Sequence, residues 1–250
     1  MILSQQKIQN KLSASMRCSA AVAFFLGIMP VTALADNDLA ASWEGGPSNG
    51  YAAVSPTFGI PLTETSSLDL IPTGSYLYYD VHEGGGITDV HSPGASFGTD
   101  YKYSDDNLTF ALGPAVQVLW QGRKSSKGGP KTNSTLTGWA ANGDLSYRFS
   151  DLTSFDLSSS YEQTDRFYFT RAGIEERVGH IGSFSWFVGP EGTAEGNNQF
   201  SQLGGGAVSE FVFDASGTSL QIRGGYANVS YSDHTSQSRP YVGVALDQGF

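Results

Sequence analysis

This 250-residue chain has one cysteine, Cys18, only four histidines, and 14 Lys and Arg against 24 Asp and Glu. It has no apolar run long enough to cross a bilayer as a helix, so a bundle of membrane helices is excluded. The scarcity of cations argues against nucleic acid as a partner. The lone cysteine falls at the start of an apolar stretch within an N-terminal export signal. Lys7, Lys11 and Arg17 form its basic region, Ala20–Val31 its apolar region, and Ala33-Leu34-Ala35 an A-x-A cleavage site before Asp36. A lipid-attachment cysteine would lie at the other end of that stretch, so a lipoprotein is not expected. Residues 1–35 therefore read as a signal peptide and 36–250 as one exported domain, without cysteine or disulfide. Removing the three signal-peptide cations leaves 11 Lys and Arg against the same 24 acids, a net charge of −13.

What is present is alternation with period two. In Thr137–Phe149, Trp139, Ala141, Gly143, Leu145, Tyr147 and Phe149 occupy one parity, and Gly138, Ala140, Asn142, Asp144, Ser146 and Arg148 the other. Such a segment is a strand with two unlike faces. Leu108–Trp120 repeats the pattern, with Leu108, Phe110, Leu112, Val116, Val118 and Trp120 against Thr109, Ala111, Gly113, Ala115 and Gln117. Twelve strands are predicted in order: Leu39–Glu44, Gly50–Ile60, Ser67–Val81, Ala95–Tyr103, Leu108–Gln121, Thr135–Phe149, Thr153–Gln163, Phe167–Val178, His180–Val188, Leu203–Phe213, Ser219–Tyr231 and Tyr241–Phe250. The 31 glycines and the many serines fall largely on the polar parity, where small residues let strands curve and tilt.

Short connections at Ser104–Asn107, Ser150–Leu152, Gly179 and Asp214–Gly217 alternate with longer ones at His82–Pro93, Gly122–Asn133, Gly189–Gln199 and Ser232–Arg239. An even strand count, both termini on one side and alternating turn lengths predict an all-β, antiparallel, up-and-down transmembrane β-barrel in the bacterial outer membrane. The rival is a soluble β-sandwich, whose strands also alternate. The terminal aromatic Phe250, of the kind that barrel assembly machinery reads, favours the barrel.

By parity the lumen receives Asp144, Arg148, Asp156, Glu162, Arg171, Glu175, Arg177, Glu210, Arg223 and Asp247. Mixed charges in a narrow barrel pair into a plug or line a wet constriction. Phe167, Phe169, Phe187, Tyr231 and Tyr241 share that face and are candidates for stacking on a sugar chain, although barrel aromatics also mark membrane interfaces. Arg123, Lys124, Lys127 and Lys131 form a basic cluster in a predicted outside loop, suited to lipopolysaccharide phosphates or simply to solvent.

Catalytic and metal arrangements are sparse. His234 lies near Ser232, Asp233 and Ser236, and His180 precedes Ser183, but serine is too common for proximity in sequence to define a triad. His82, Asp89 and His91 have loose spacing for a metal. No enzymatic activity, metal or cofactor is expected.

Trp186–Asn198, WFVGPEGTAEGNN, carries a Gly-Pro-Glu-x-x-x-x-Gly-Asn pattern, followed by Gly206-Ala207 and then Gly224-Gly225-Tyr226. Trp43-Glu44-Gly45 and Gly50-Tyr51-Ala52 form a first hairpin. Together these resemble the cellulose biosynthesis protein BcsS family. In Ile71-Pro72-Thr73-Gly74-Ser75-Tyr76 a proline intrudes where that family is glycine-rich. The resemblance implies an outer-membrane barrel accessory to cellulose synthesis or export, with export components or a glucan chain as partners, and it supplies no catalytic residues. A small general pore and a lipid hydrolase are the alternatives.

Overall fold

The computed structural model describes residues 37–46, 49–83, 86–128, 130–213 and 216–249. The predicted signal peptide, its cysteine and Phe250 lie outside the described residues. Twelve strands run in order: β1 (Asn37–Gly45), β2 (Asn49–Thr63), β3 (Ser66–Glu83), β4 (Gly86–Ser104), β5 (Leu108–Ser125), β6 (Thr132–Ser150), β7 (Thr153–Glu162), β8 (Phe167–Ile181), β9 (Phe184–Gly196), β10 (Phe200–Phe213), β11 (Thr218–Tyr231) and β12 (Ser236–Gly249). Each pairs antiparallel with its sequence neighbours. β1 pairs with β12 from Asp38↔Gly249 to Gly45↔Val242, which closes the barrel. The all-β antiparallel barrel expected from the alternation is the observed fold.

The outer surface is apolar in the way a membrane demands. Leu112 is 62% exposed, Leu203 70% and Tyr226 71%, values foreign to a water-soluble core. The same parity puts Trp139 and Phe149 at two levels of β6, ten residues apart, about the crossing length of a tilted strand. Tyr147 stands 5.1 Å from Phe149 and Tyr103 5.6 Å from Phe110, and Trp139 meets Tyr161 at 5.6 Å. These are two aromatic girdles with an aliphatic band between them.

The predicted long loops are where the structure departs from the sequence reading. His82 and Glu83 continue β3, and β4 starts at Gly86, so most of the supposed glycine-rich loop is a hairpin paired as far as Glu83↔Gly86. Gly122–Ser125 extends β5, and Arg123 pairs with both Val90 and Thr132. Gly189–Gly196 belongs to β9 and Ser236–Arg239 to β12. The predicted turn at Gly179 lies at a register shift inside β8. The chain turns instead at Gly182, φ 64°, which leaves His180 on β8 rather than at the start of β9. The reason is general: beyond the bilayer the outward face meets water instead of lipid, so the ladder continues while the hydrophobic alternation that would reveal it stops. β3–β6, of 18–19 residues, reach about 60 Å at ~3.3 Å per residue, well beyond the membrane.

Leu112 lies between the girdles and faces lipid. Leu112→Arg is expected to lower unfolding free energy in lipid vesicles by about 2–4 kcal/mol, the cost of an arginine near the midplane. Ser146→Arg, on the lumen face, should change it far less. Urea-unfolding curves of the two variants compare them directly.

Candidate functional site

The lumen is filled in layers. At the end remote from the chain termini, inward side chains of five strands meet: Tyr79 and Val81 of β3, Val90 of β4, Phe167 of β8, Phe200 of β10, Val229 and Tyr231 of β11. Leu77 and Phe169 pack against this cluster. β3 and β4 lie across the barrel from β8 and β10, so the cluster spans the lumen. Tyr79 and Phe200 stand 5.7 Å apart, and the Tyr79 hydroxyl donates to Asp165, 2.7 Å away in the β7–β8 turn. Asn197 also donates to Asp165 at 3.3 Å. Burial raises the Asp165 carboxyl above its ordinary pKa, against the pull of those two bonds.

The middle layer is polar, with carboxylates of several strands gathered around arginines. Arg171 donates to Glu44 across the lumen and lies 3.6 Å from Glu191, whose same oxygen is 3.4 Å from Arg223. Tyr241 donates to the other Glu191 oxygen at 2.9 Å. The Tyr241 ring lies against bare backbone: a Cβ on Gly206 or Gly225 would come within 2.5–2.8 Å of it. Asn49 ties the opposite wall, donating to Glu195 at 2.9 Å and to Gln202 at 3.1 Å. Arg223 also donates to Gln221, which donates to Glu210 at 3.0 Å.

Toward the end that carries the termini the lumen widens into a cavity of about 410 Å³. Asp144, Asp156, Arg171, Glu175, Arg223 and Asp247 line it, as the parity reading placed them. Glu210 faces the lumen through its bond from Gln221, and Glu162 through Gln117, which donates to it at 3.3 Å. Arg148 and Arg177 keep the lumen parity near the terminal turns, where Arg148 is exposed and pairs with Ser154, and Arg177 pairs with Phe187.

The candidate stacking aromatics face inward, but four of the five have engaged rings. Phe167 and Tyr231 belong to the plug, Phe169 lies 5.0 Å beneath Arg171, and Tyr241 is held on glycines. Tyr231 also carries Arg239 at 5.5 Å and stacks on His82 at 3.8 Å. They form walls and a stopper rather than an unobstructed sugar track, because the lumen is narrow enough for rings of opposite strands to meet. Phe187 stays partly buried near the terminal end.

The basic cluster is split. Arg123 and Lys124 are strand residues, with Arg123 on the inward parity and Lys124 exposed, while Lys127 and Lys131 lie in the connection between β5 and β6. The histidines are dispersed. His82 lies 3.2 Å from Thr235 Oγ1 and 3.5 Å from Asp233, and His91 bonds the Tyr76 hydroxyl at 2.7 Å. Asp89 pairs in register with Asp80 and Lys124, and no group of metal-ligating side chains converges among the described residues. His180 reaches Ser185 at 3.2 Å rather than Ser183, because β8 runs on to Ile181 and the hairpin register sets His180 opposite Ser185. His234 holds a left-handed turn position, φ 66°, between Asp233 and Thr235, with Ser232 in the same turn and Ser236 opening β12.

Sequence reasoning missed Glu44, Glu191, Glu195, Asp69, Asp100 and Lys102. Glu191 and Glu195 were hidden by reading Gly-Pro as a loop, although they continue the parity of Phe187. Asp69 and Asp100 sit singly among apolar or small neighbours, and the alternation alone would have found them.

No protein-family model and no curated protein matches this chain. Among solved structures it is similar to the β domain of the Bordetella autotransporter Brka, at TM-score 0.54 and 14% identity over 87% of this chain and all of that one. It also matches the translocator domain of the autotransporter NalP from Neisseria meningitidis (TM-score 0.49, 10% identity, 95% and 96% covered). A third match is an outer membrane channel from Pseudomonas putida F1 (TM-score 0.49, 10% identity, 90% and 98% covered). At such identities the Brka likeness establishes the barrel fold.

Arg171→Met leaves half-buried Glu44 without its cation and buried Glu191 with Arg223 and Tyr241 alone, and is expected to lower stability by about 3 kcal/mol in urea unfolding. A second expectation concerns the β11–β12 turn. Hydrogen bonds from the Thr235 hydroxyl and amide, with a smaller contribution from His82, hold Asp233 below its ordinary 3.8. A depressed carboxylate stabilises the turn above its unfolded pKa, and that contribution is lost as pH falls through the folded value. The Thr235 amide should therefore titrate by NMR with a midpoint below 3.8.

Proposed function

We propose that this chain is an outer-membrane barrel held shut, acting as an accessory to bacterial cellulose synthesis or export rather than as a standing pore. The observation that carries the closed reading is the apolar cluster spanning the lumen from Tyr79 and Val90 to Phe167, Phe200 and Tyr231. Below it, Arg171–Glu44 and Asn49–Glu195 cross the same space. A solute would have to displace both layers at once. The cellulose reading rests on the BcsS resemblance. It gains support from where the resembling segments lie: the acids of Trp43-Glu44-Gly45 and Gly189-Pro190-Glu191, far apart in sequence, both contact Arg171. The motif residues thus build one interior constellation, as a shared architecture requires. In this reading the termini face the periplasm, the long strand extensions face outward, and lipid and lipopolysaccharide surround the belt.

Two measurements test it. Cells lacking the gene should show lost or altered cellulose by dye binding, with growth and membrane integrity intact; unchanged cellulose overturns the accessory role. In planar bilayers the purified barrel should give no steady single-channel steps. A variant that clears both layers, Phe167→Ala, Phe200→Ala and Tyr231→Ala together with Asn49→Ala and Arg171→Ala, should give them. Steady steps from the unmodified protein would make a small pore the leading function.

A further inference from the structure

The cavity at the terminal end is lined by eight carboxylates and three cations. The cations are already engaged: Arg171 by Glu44 and Glu191, Arg223 by Glu191, and Lys102 by Asp38 at 3.9 Å. Asp69, Asp100, Asp144, Asp156, Glu175 and Asp247 form no ion pair among the described residues. They come from six different strands, so they ring the cavity rather than crowd one wall.

Acidity alone would be a solvated surface. Two of these groups are not solvated. Asp100 is 4% exposed and Glu175 5%, and Asp100 Oδ1 and Glu175 Oε2 have no hydrogen-bond partner. Buried, ionisable oxygens without donors are rare in folded proteins, and in the lining of a cavity a rotation of these two side chains would present them to a donor that enters it. The volume, about 410 Å³, lies within the roughly 300–1,000 Å³ of small-molecule sites. Ile71 and Val208 add apolar patches between the acids.

We propose that this cavity binds a flexible organic polycation, a di- or polyamine, entering from the end that carries the termini. Ammonium groups would donate to Asp100 and Glu175, and the methylene stem would lie along Ile71 and Val208. A single metal ion fits less well, since no three acidic side chains converge on one point among the described residues. The apolar plug closes the far end, so the site is a dead-end vestibule that captures rather than conducts. This inference rests on the closed lumen and not on the cellulose role, and its test uses purified protein, so the two fail separately.

Spermidine titrated calorimetrically into the detergent-solubilised barrel at fixed ionic strength should give saturable single-site binding, and MgCl2 and NaCl should not. The double variant Asp100→Asn, Glu175→Gln, checked for folding by its mobility on unboiled gels, should bind about tenfold or more weakly. Lys102→Met alters a side chain 37% exposed, so the fold is not at risk. It removes a competing cation and should tighten spermidine about threefold. Absence of saturation, magnesium binding as tight as spermidine, an unchanged affinity in a folded double variant, or an unchanged affinity in Lys102→Met would each overturn the proposal.

Discussion

Eight residue pairs, Asp38↔Gly249 to Gly45↔Val242, join the first strand to the last, and the rest of the structure depends on that ladder. Hydrocarbon offers no partner for a backbone amide or carbonyl, so a sheet survives in it only without edges. Closure also fixes what a side chain can be. With no edge and no second sheet, each residue between the girdles faces either lipid or lumen, and period-two alternation becomes compulsory. Leu112 and Asp144, on neighbouring strands, owe their opposite chemistry to that single condition.

Closure at twelve strands makes a lumen narrow enough for opposite walls to touch. The interior therefore behaves as a core, with the chemistry sorted by depth. Far from the termini it is apolar and aromatic; in the middle Glu44, Glu191 and Glu195 stand among Arg171, Arg223 and Arg239; toward the termini the acids outnumber the cations. Glu191 is the pivot of the middle layer. It is 7% exposed and meets two arginines and Tyr241, and it can do so because Gly206 and Gly225 leave the wall bare for that ring. The many glycines of the sequence thus have a specific use here, making room on the inner wall for a large side chain from the next strand.

The legibility of this protein followed the solvent. Where lipid lay on one face and the lumen on the other, as in Thr137–Phe149, alternation was unmistakable and the inward residues could be named from parity. Where the outward face left the lipid and carried polar or small residues, as in Gly86–Pro93 or Gly189–Gly196, hydrophobic alternation faded, and strands read as loops. Arg123 and Glu191 were misplaced for that reason. The register shift at Arg177/Gly179 moved one turn by three residues, a local irregularity that no periodicity encodes.

By itself the sequence determined the fold class, the strand number and the face of most residues, because the membrane imposes a repeating one-dimensional rule that each strand obeys alone. Only the tertiary structure decided which inward groups meet. That Arg171 joins Glu44 to Glu191, that Tyr79 and Phe200 shut one end, and that Asp100 and Glu175 stay unsatisfied at the other depends on strand tilt and register around a closed ring. Those quantities bring residues more than a hundred positions apart to the same level, and no local pattern records them.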